Sequence, residues 1–450
     1  MNDVERFGRK VVRAIWDPIP SNDSQEPIWL LGQQYDARRP PPKSPPTPPP
    51  ITGTSTSTST ATLIATAPAS QADLTPKTEE ESWIRTSTEE VERKEAANGE
   101  DPAQFGGWPH AFLDDFESRI WMTYRSEFAP IQKSQDPNAG KGISWGVRLS
   151  NLTKPGFTSD TGFGCMIRSG QCILANSLLH LRLGRDWRLS EATADSNDRP
   201  ILSLFADSPE APFSIHRFVE HGAAVCGKYP GEWFGPSATA RCIQDLTQKH
   251  KDAGLRVYVS GDGADVYEEN LRKLAKGEDE DEEWVPTLIL VGTRLGIDKI
   301  TPVYWEALKS ALQMPQSIGI AGGRPSASHY FVGNQGNDFF YLDPHDTRPA
   351  LPYHASHTEY TQPEVKSCHT RRLRRIEIRE MDPSMLIAFL IKDEDDFERW
   401  KKGVKEVQGK AIVHVSKSEP KPPGTVPREA AIDEVESFDE HDDDDTETIV

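Results

Sequence analysis

Nowhere in this 450-residue chain do eighteen apolar residues follow one another, so no helix is expected to span a membrane. The first residues, Met1-Asn2-Asp3-Val4-Glu5-Arg6, lack the apolar centre of a secretory signal. Cysteine is scarce: there are five, an odd number, widely spaced and without a Cys-x-x-Cys pair. That pattern argues against a disulfide framework and a zinc ribbon, and for a reducing compartment. Basic surplus is also missing. The net charge is −19, and a nucleic-acid groove would need a basic face.

The negative charge is concentrated. Residues 429–450 hold eleven acids and no Lys or Arg, and Glu278 to Glu283 hold six more, together seventeen of the nineteen excess charges. Runs of this kind are solvated, so the rest of the chain is close to neutral. With only 36% hydrophobic residues and 36 prolines, one core of ~300 residues fits better than two or three domains. The chain divides into an N-terminal segment (1–35), a Pro/Ser/Thr-rich linker (36–105), a folded domain (106–415) and an acidic tail (416–450). The linker has too little apolar surface to offset its chain entropy.

Inside the domain the pattern is α+β, helix first and sheet later. A helix is predicted from Cys165 to Leu183, capped by Ser159 or Asp160 and stopped by Gly184. Strands are predicted at 287–291 and 317–320, and a helix after Thr301-Pro302 ends before Pro315. His329 to Val332 and Asp338 to Leu342 flank Gly333-Asn334-Gln335-Gly336 as a hairpin. Asp382-Pro383 is read as starting an apolar helix through Ile391.

Chemistry is carried first by Cys165. A single cysteine is more often a buried structural thiol. This one opens a helix, whose partial positive charge favours a thiolate, and Gly162 and Gly164 let a substrate come close. Cys172 has apolar neighbours and reads as core. Cys226, Cys242 and Cys368 show no local activating feature and read as structural or surface thiols. A thiol nucleophile needs a base and a group to orient it. Asp343-Pro344-His345 supplies both if the chain stays extended, because residues i and i+2 face the same side. The tripeptide alone would as readily be a turn with a chance histidine. Tyr124 could donate to an oxyanion, although its position by itself equally suits a core aromatic.

The run Thr158-Ser159-Asp160-Thr161-Gly162-Phe163-Gly164-Cys165-Met166-Ile167-Arg168-Ser169-Gly170-Gln171 resembles the nucleophile motif of the autophagins, autophagy-related cysteine proteases acting on a ubiquitin-like modifier. Tyr341-Leu342-Asp343-Pro344-His345 is similar to their Asp-Pro-His motif. Trp121 to Phe128, Gly231 to Pro236, Met314 to Ser317, Gly322 to Pro325 and Met381 to Ser384 match in the same order, and Glu26-Pro27-Ile28-Trp29 looks like the leader of fungal members.

This resemblance implies a papain-like fold with a small extra subdomain, in which Cys165 attacks, His345 is the base, Asp343 orients it and Tyr124 supports the oxyanion. It also implies that Trp233 and the loop Gly323-Arg324-Pro325-Ser326 cover a groove for the modifier's tail. Taken alone, Trp233 would be core and the loop a plain turn. Phe163 departs from the tryptophan usual in the family. The expected activity is cleavage after a C-terminal glycine of the modifier, both in its precursor and in its phosphatidylethanolamine conjugate. No metal or organic cofactor is called for. The expected enzyme is a monomer in the cytoplasm, and by resemblance in the nucleus and at the preautophagosomal structure. A protease for another ubiquitin-like modifier, or an idle modifier-binding adaptor, are the alternatives. No convincing aromatic-x-x-aliphatic docking motif is seen in the tails; Phe438-Asp439-Glu440-His441 lacks the aliphatic end.

Overall fold

The computed structural model describes residues 19–37, 106–137, 139–189, 197–261, 263–277, 283–324 and 327–420. The bulk of the linker, most of the acidic insert and the tail from residue 421 lie outside the described residues, as do Pro325 and Ser326. Fourteen strands are found among the described residues: β1 (Ile28–Leu30), β2 (Gln33–Tyr35), β3 (Arg125–Gln132), β4 (Gly156–Ser159), β5 (Arg256–Val259), β6 (Asp265–Tyr267), β7 (Thr287–Arg294), β8 (Ser317–Arg324), β9 (Ala327–Gln335), β10 (Asp338–Leu342), β11 (Arg348–Pro349), β12 (Arg374–Glu377), β13 (Ser384–Ile391) and β14 (His414–Ser416). The principal helices are α1 (His110–Glu117), α2 (Trp145–Ser150), α3 (Cys165–Arg182), α4 (Ile215–His221), α5 (Pro236–Lys249), α6 (Glu268–Lys276), α7 (Trp305–Gln313) and α8 (Glu394–Lys405).

The central sheet runs β12-β10-β9-β8-β13-β7-β5, antiparallel except where β5 lies parallel to β7. Strand β1 joins it from far upstream, Ile28 to Leu30 pairing with Gln335 to Gly333. Both faces of the sheet are covered. Leu288, Leu290, Tyr330, Val332, Leu386 and Ala388 pack with Ile167, Ile173 and Leu178 of α3. Their neighbours Ile289, Val291, Phe331, Ile387 and Phe389 face the opposite way, onto Leu308 and Leu312 of α7 and Phe397 and Trp400 of α8. Alternate residues therefore enter two different apolar layers, as the period-2 side-chain alternation of a strand requires.

That double burial corrects the helix predicted through Ile391. All eight residues of β13 are buried between β7 and β8. A strand covered on both faces reads as a continuous apolar run with no polar alternation to mark it. Asp382 does not cap a helix; its Oδ1 accepts the Ser384 amide at 2.7 Å as the strand begins. The helix comes later, as α8, capped by Asp393, whose Oδ1 accepts from Asp396 N at 2.7 Å.

The helix from Cys165 and the hairpin form as expected. The first strand runs on through Gln335, so the turn is the two residues Gly336-Asn337 instead of the four predicted, with Gly336 at φ +57°. Thr301 precedes a short 3₁₀ turn, Pro302–Tyr304, makes no side-chain cap, and the helix proper starts at Trp305.

Candidate active site

The start of α3 is fixed from beneath. Neither Ser159 nor Asp160 caps it; Gly164 is the N-cap residue, with no side-chain hydrogen bond. The Asp160 carboxylate is instead buried, accepting from Arg125 N at 2.7 Å and pairing with Arg168 Nε at 2.7 Å. Arg168 also meets Asp207 at 2.8 Å. A Cβ on Gly164 would come within 2.4 Å of Asp160 Oδ2, and Gly162 holds φ +91°. The two glycines are thus needed for the turn that leads into Cys165 at the helix end, where unsatisfied N–H groups and the dipole favour a thiolate.

His345 and Asp343 arrive together at the end of β10. His345 Nδ1 lies 2.6 Å from Asp343 Oδ1, which also accepts the His345 amide at 3.0 Å. The bond to Nδ1 leaves Nε2 for the thiol. A strap preceding β3 holds this segment: Trp121 Nε1 donates to Asp343 O at 2.8 Å, Thr123 Oγ1 to Pro344 O at 2.7 Å, and Tyr124 N to Pro344 O at 2.7 Å. The Tyr124 ring stands edge-on to the imidazole, centroids 5.3 Å apart. Trp233 Nε1 lies 3.2 Å from Cys165 Sγ. Arg374 and His329 approach the Asp343 carboxylate at 3.3 and 3.9 Å.

The electrostatics follow from these contacts. Burial would raise the Cys165 thiol, but the hydrogen bond and charge of His345, with help from the Ser328 backbone and Trp233, bring it below its ordinary value. Burial would lower His345, yet hydrogen bonds to Asp343 and Cys165 raise it to about 9. Burial also opposes ionisation of Asp343, and the His345 hydrogen bond and the His329 charge overcome it, holding the carboxyl well below the usual range. Tyr124 is pushed up by burial and then by the thiolate, so it stays a neutral donor. Together these shifts favour a thiolate–imidazolium pair at neutral pH.

Cys165, Asp343, His345, Tyr124 and Trp233 therefore lie in one place. Gly323 and Arg324 end β8, where Gly323 faces Ser328 and a Cβ on it would strike Ala327 O; Pro325 and Ser326 lie outside the described residues. Sequence reasoning missed the positioning groups Asp207, Trp121 and Thr123, together with His329 beside the carboxylate. Trp121 and Thr123 stand in a motif that the sequence did single out, but their targets lie more than two hundred residues away.

His329, Asp343 and His345 bring potential donor atoms within 4.8 Å of one another, and so do His221, Cys226 and Cys242. In the first group Asp343 is taken up by His345 and Arg374. None of the five cysteines is joined in a disulfide, and no helix among the described residues is long and apolar enough to cross a membrane.

A model of the peptidase C54 catalytic domain matches residues 109–403. A protein of Phaeosphaeria nodorum named probable cysteine protease ATG4 is 64% identical, covering 98% of this chain and 99% of its own length. The Botryotinia fuckeliana protein of the same name is 54% identical, with 98% of each chain covered. The cysteine protease ATG4 of Pyricularia oryzae is 50% identical over 100% of this chain and 98% of its own.

Proposed function

Since the chain belongs to the peptidase C54 family, and is therefore a papain-like cysteine protease related to autophagy enzymes, we propose that it cleaves after the C-terminal glycine of a ubiquitin-like autophagy modifier. The substrates are the modifier's precursor and its phosphatidylethanolamine conjugate. Cys165 Sγ attacks the glycine carbonyl carbon, and the carbonyl oxygen becomes an oxyanion that the Tyr124 hydroxyl meets as donor. Collapse breaks the C–N bond, with the His345 proton passing to the leaving amine. The thioester left on Cys165 is then hydrolysed by water, which loses a proton to His345. Asp343 is the positioning group: it fixes the ring tautomer and stabilises its cationic form. No step calls for a metal.

The observation that carries this reading is the His345 ring held between Asp343 and Cys165, with the imidazole raised to about 9 and the thiol lowered. The tail specificity rests on the tight surroundings of the sulfur. Trp233 contacts the sulfur itself, and the β8–β9 rim begins at a glycine with no room for a side chain. A tail ending in glycine suits so narrow an entry. By the same reading Gly323 and Arg324 border that entry, the 106–415 span is the protease domain, and the enzyme works as a cytoplasmic monomer that meets membranes only through its lipidated substrate.

Incubating the full chain with modifier precursor and weighing the products tests the proposal. The expected product is the modifier ending in glycine, with a second assay on liposome-bound conjugate releasing the same species. Preferred cleavage of ubiquitin fusions would instead select the alternative protease. Retained cleavage by Cys165→Ser would overturn the assignment of the nucleophile.

A further inference from the structure

A second thiol cluster lies between α4 and α5. His221 ends α4, and the chain then makes one π turn, Gly222–Cys226, closed by Gly227 in the left-handed region at φ +65°. On an α-helix, residues five apart point about 140° away from each other. The i→i+5 bonding of the π turn returns Cys226 over His221, and turns of this kind often mark functional positions. The chain then travels outward and comes back through α5, which brings Cys242 to the same point. The donor atoms of His221, Cys226 and Cys242 lie within 4.8 Å of one another. One helical turn beyond Cys242, an Asp245 carboxylate oxygen lies 2.9 Å from His221 Nε2. That nitrogen is buried, with its side chain 4% exposed, and makes no hydrogen bond despite the nearby carboxylate.

We propose that His221, Cys226 and Cys242, with Asp245 as fourth ligand, form a binding site for a thiophilic divalent cation of the Zn²⁺ type. Two sulfurs, one imidazole nitrogen and one carboxylate are the donor set such ions take, in tetrahedral sites whose neighbouring donors sit about 3.3–3.8 Å apart. The donors of His221, Cys226 and Cys242 already lie within 4.8 Å of one another, and the Asp245 carboxylate, part-exposed and beside His221, has to swing toward the sulfurs to complete the set. Binding displaces the two thiol protons to solvent, so it strengthens as pH rises. Cys226 is half-buried and the Asp245 side chain is 36% exposed, giving an entry path.

The site has a consequence for the protease centre. The fifteen residues between the two cysteines include Trp233, whose indole touches Cys165 Sγ. A cation on Cys226 and Cys242 clips the two ends of that segment together. It would order the Trp233 loop without touching the reacting atoms.

Cobalt reports thiolate ligands directly, through a sulfur-to-metal charge-transfer band. The test titrates Co²⁺ into the full chain carrying Cys165→Ser, under a non-thiol reductant, and then displaces the cobalt with Zn²⁺. One equivalent should give the band, Zn²⁺ should remove it, and the melting temperature should rise by a few degrees with either ion. Adding Cys226→Ser, at the half-buried position where serine fits easily, should abolish the band while far-UV dichroism stays native. Cys242→Ser should do the same. Absence of the band in the Cys165→Ser chain, or its persistence with Cys226→Ser, overturns the site. Because nothing in this test depends on cleavage, it stands or falls separately from the modifier-protease reading.

Discussion

Two places in this molecule assemble the same three functional groups and tune them in opposite directions. At the end of α3, a thiol, an imidazole and a carboxylate give a lowered thiol (Cys165) and a raised imidazole at about 9 (His345). Beside α5, the hydrogen bond with Cys226 and then burial push the Cys242 thiol up, while burial pulls His221 down. Residue identity does not separate them. Two geometric facts do. Asp343 is largely buried and hydrogen-bonds the ring at 2.6 Å, whereas Asp245, 2.9 Å away and more exposed, makes no hydrogen bond to His221. Cys165 is the first residue of its helix, whereas Cys242 sits in mid-helix, away from any dipole end. The first site stabilises charge and so suits a nucleophile. The second favours neutral thiols that lose their protons to solvent only when a metal binds.

The comparison is broken most forcefully at the sulfur of the first site. Cys165→Ala should lower cleavage by at least about 10⁴-fold, as loss of a nucleophile does elsewhere, with the melting curve little changed. Residual cleavage measured by product mass would show that another thiol can serve. The next largest effect should come from making the first site resemble the second. Asp343→Asn keeps the backbone held by Trp121 and Thr123 but removes the charge that holds His345 cationic, and kcat/KM should fall about 10²–10⁴-fold. Alkylation of Cys165 by iodoacetamide at neutral pH should slow in parallel. An unchanged alkylation rate would mean that the helix terminus alone makes the thiolate.

How much of this was readable beforehand depended on how far the contacts reach. Cys165 could be placed at a helix start because glycines and the helical period are signals within a few residues. Asp343 and His345 were recognisable as a pair for the same reason. The Asp160–Arg168–Asp207 network was hidden, since an ion pair under a turn leaves no mark on spacing. Strand β13 was mistaken for a helix because burial on both faces erased its alternation. The grouping of His221, Cys226 and Cys242 needs a π turn and the return of α5, neither of which has a sequence signature.

A subtler effect comes from titrating the first site. His345 is raised to about 9 in the folded protein by Asp343 and the Cys165 thiolate, with Tyr124, His329 and Arg374 also around the pair. The alkaline limb of kcat/KM should therefore bend near pH 9 and fall about tenfold per pH unit above it. Stability should move the same way. The folded-state value lies above the unfolded one, near 6.5, so the His345 contribution is complete below about 6.5 and lost as pH rises through 9. A limb bending near 7 would show that the pair is not charged in the free enzyme.

The smallest expected effect tests the second site at its carboxylate. The Asp245 side chain is 36% exposed and forms no hydrogen bond with His221, so solvent screens what attraction there is. In the metal-free protein Asp245→Asn should change unfolding free energy by less than ~1 kcal/mol, the range of exposed pairs, as read from urea midpoints. Asp343→Asn removes a carboxylate engaged with His345 and Arg374 and should cost more. Should Asp245→Asn prove the costlier of the two, His221 would have to be charged and paired in the fold. The two clusters would then differ in exposure alone, and the contrast between a charged and a neutral thiol–imidazole pair would fail.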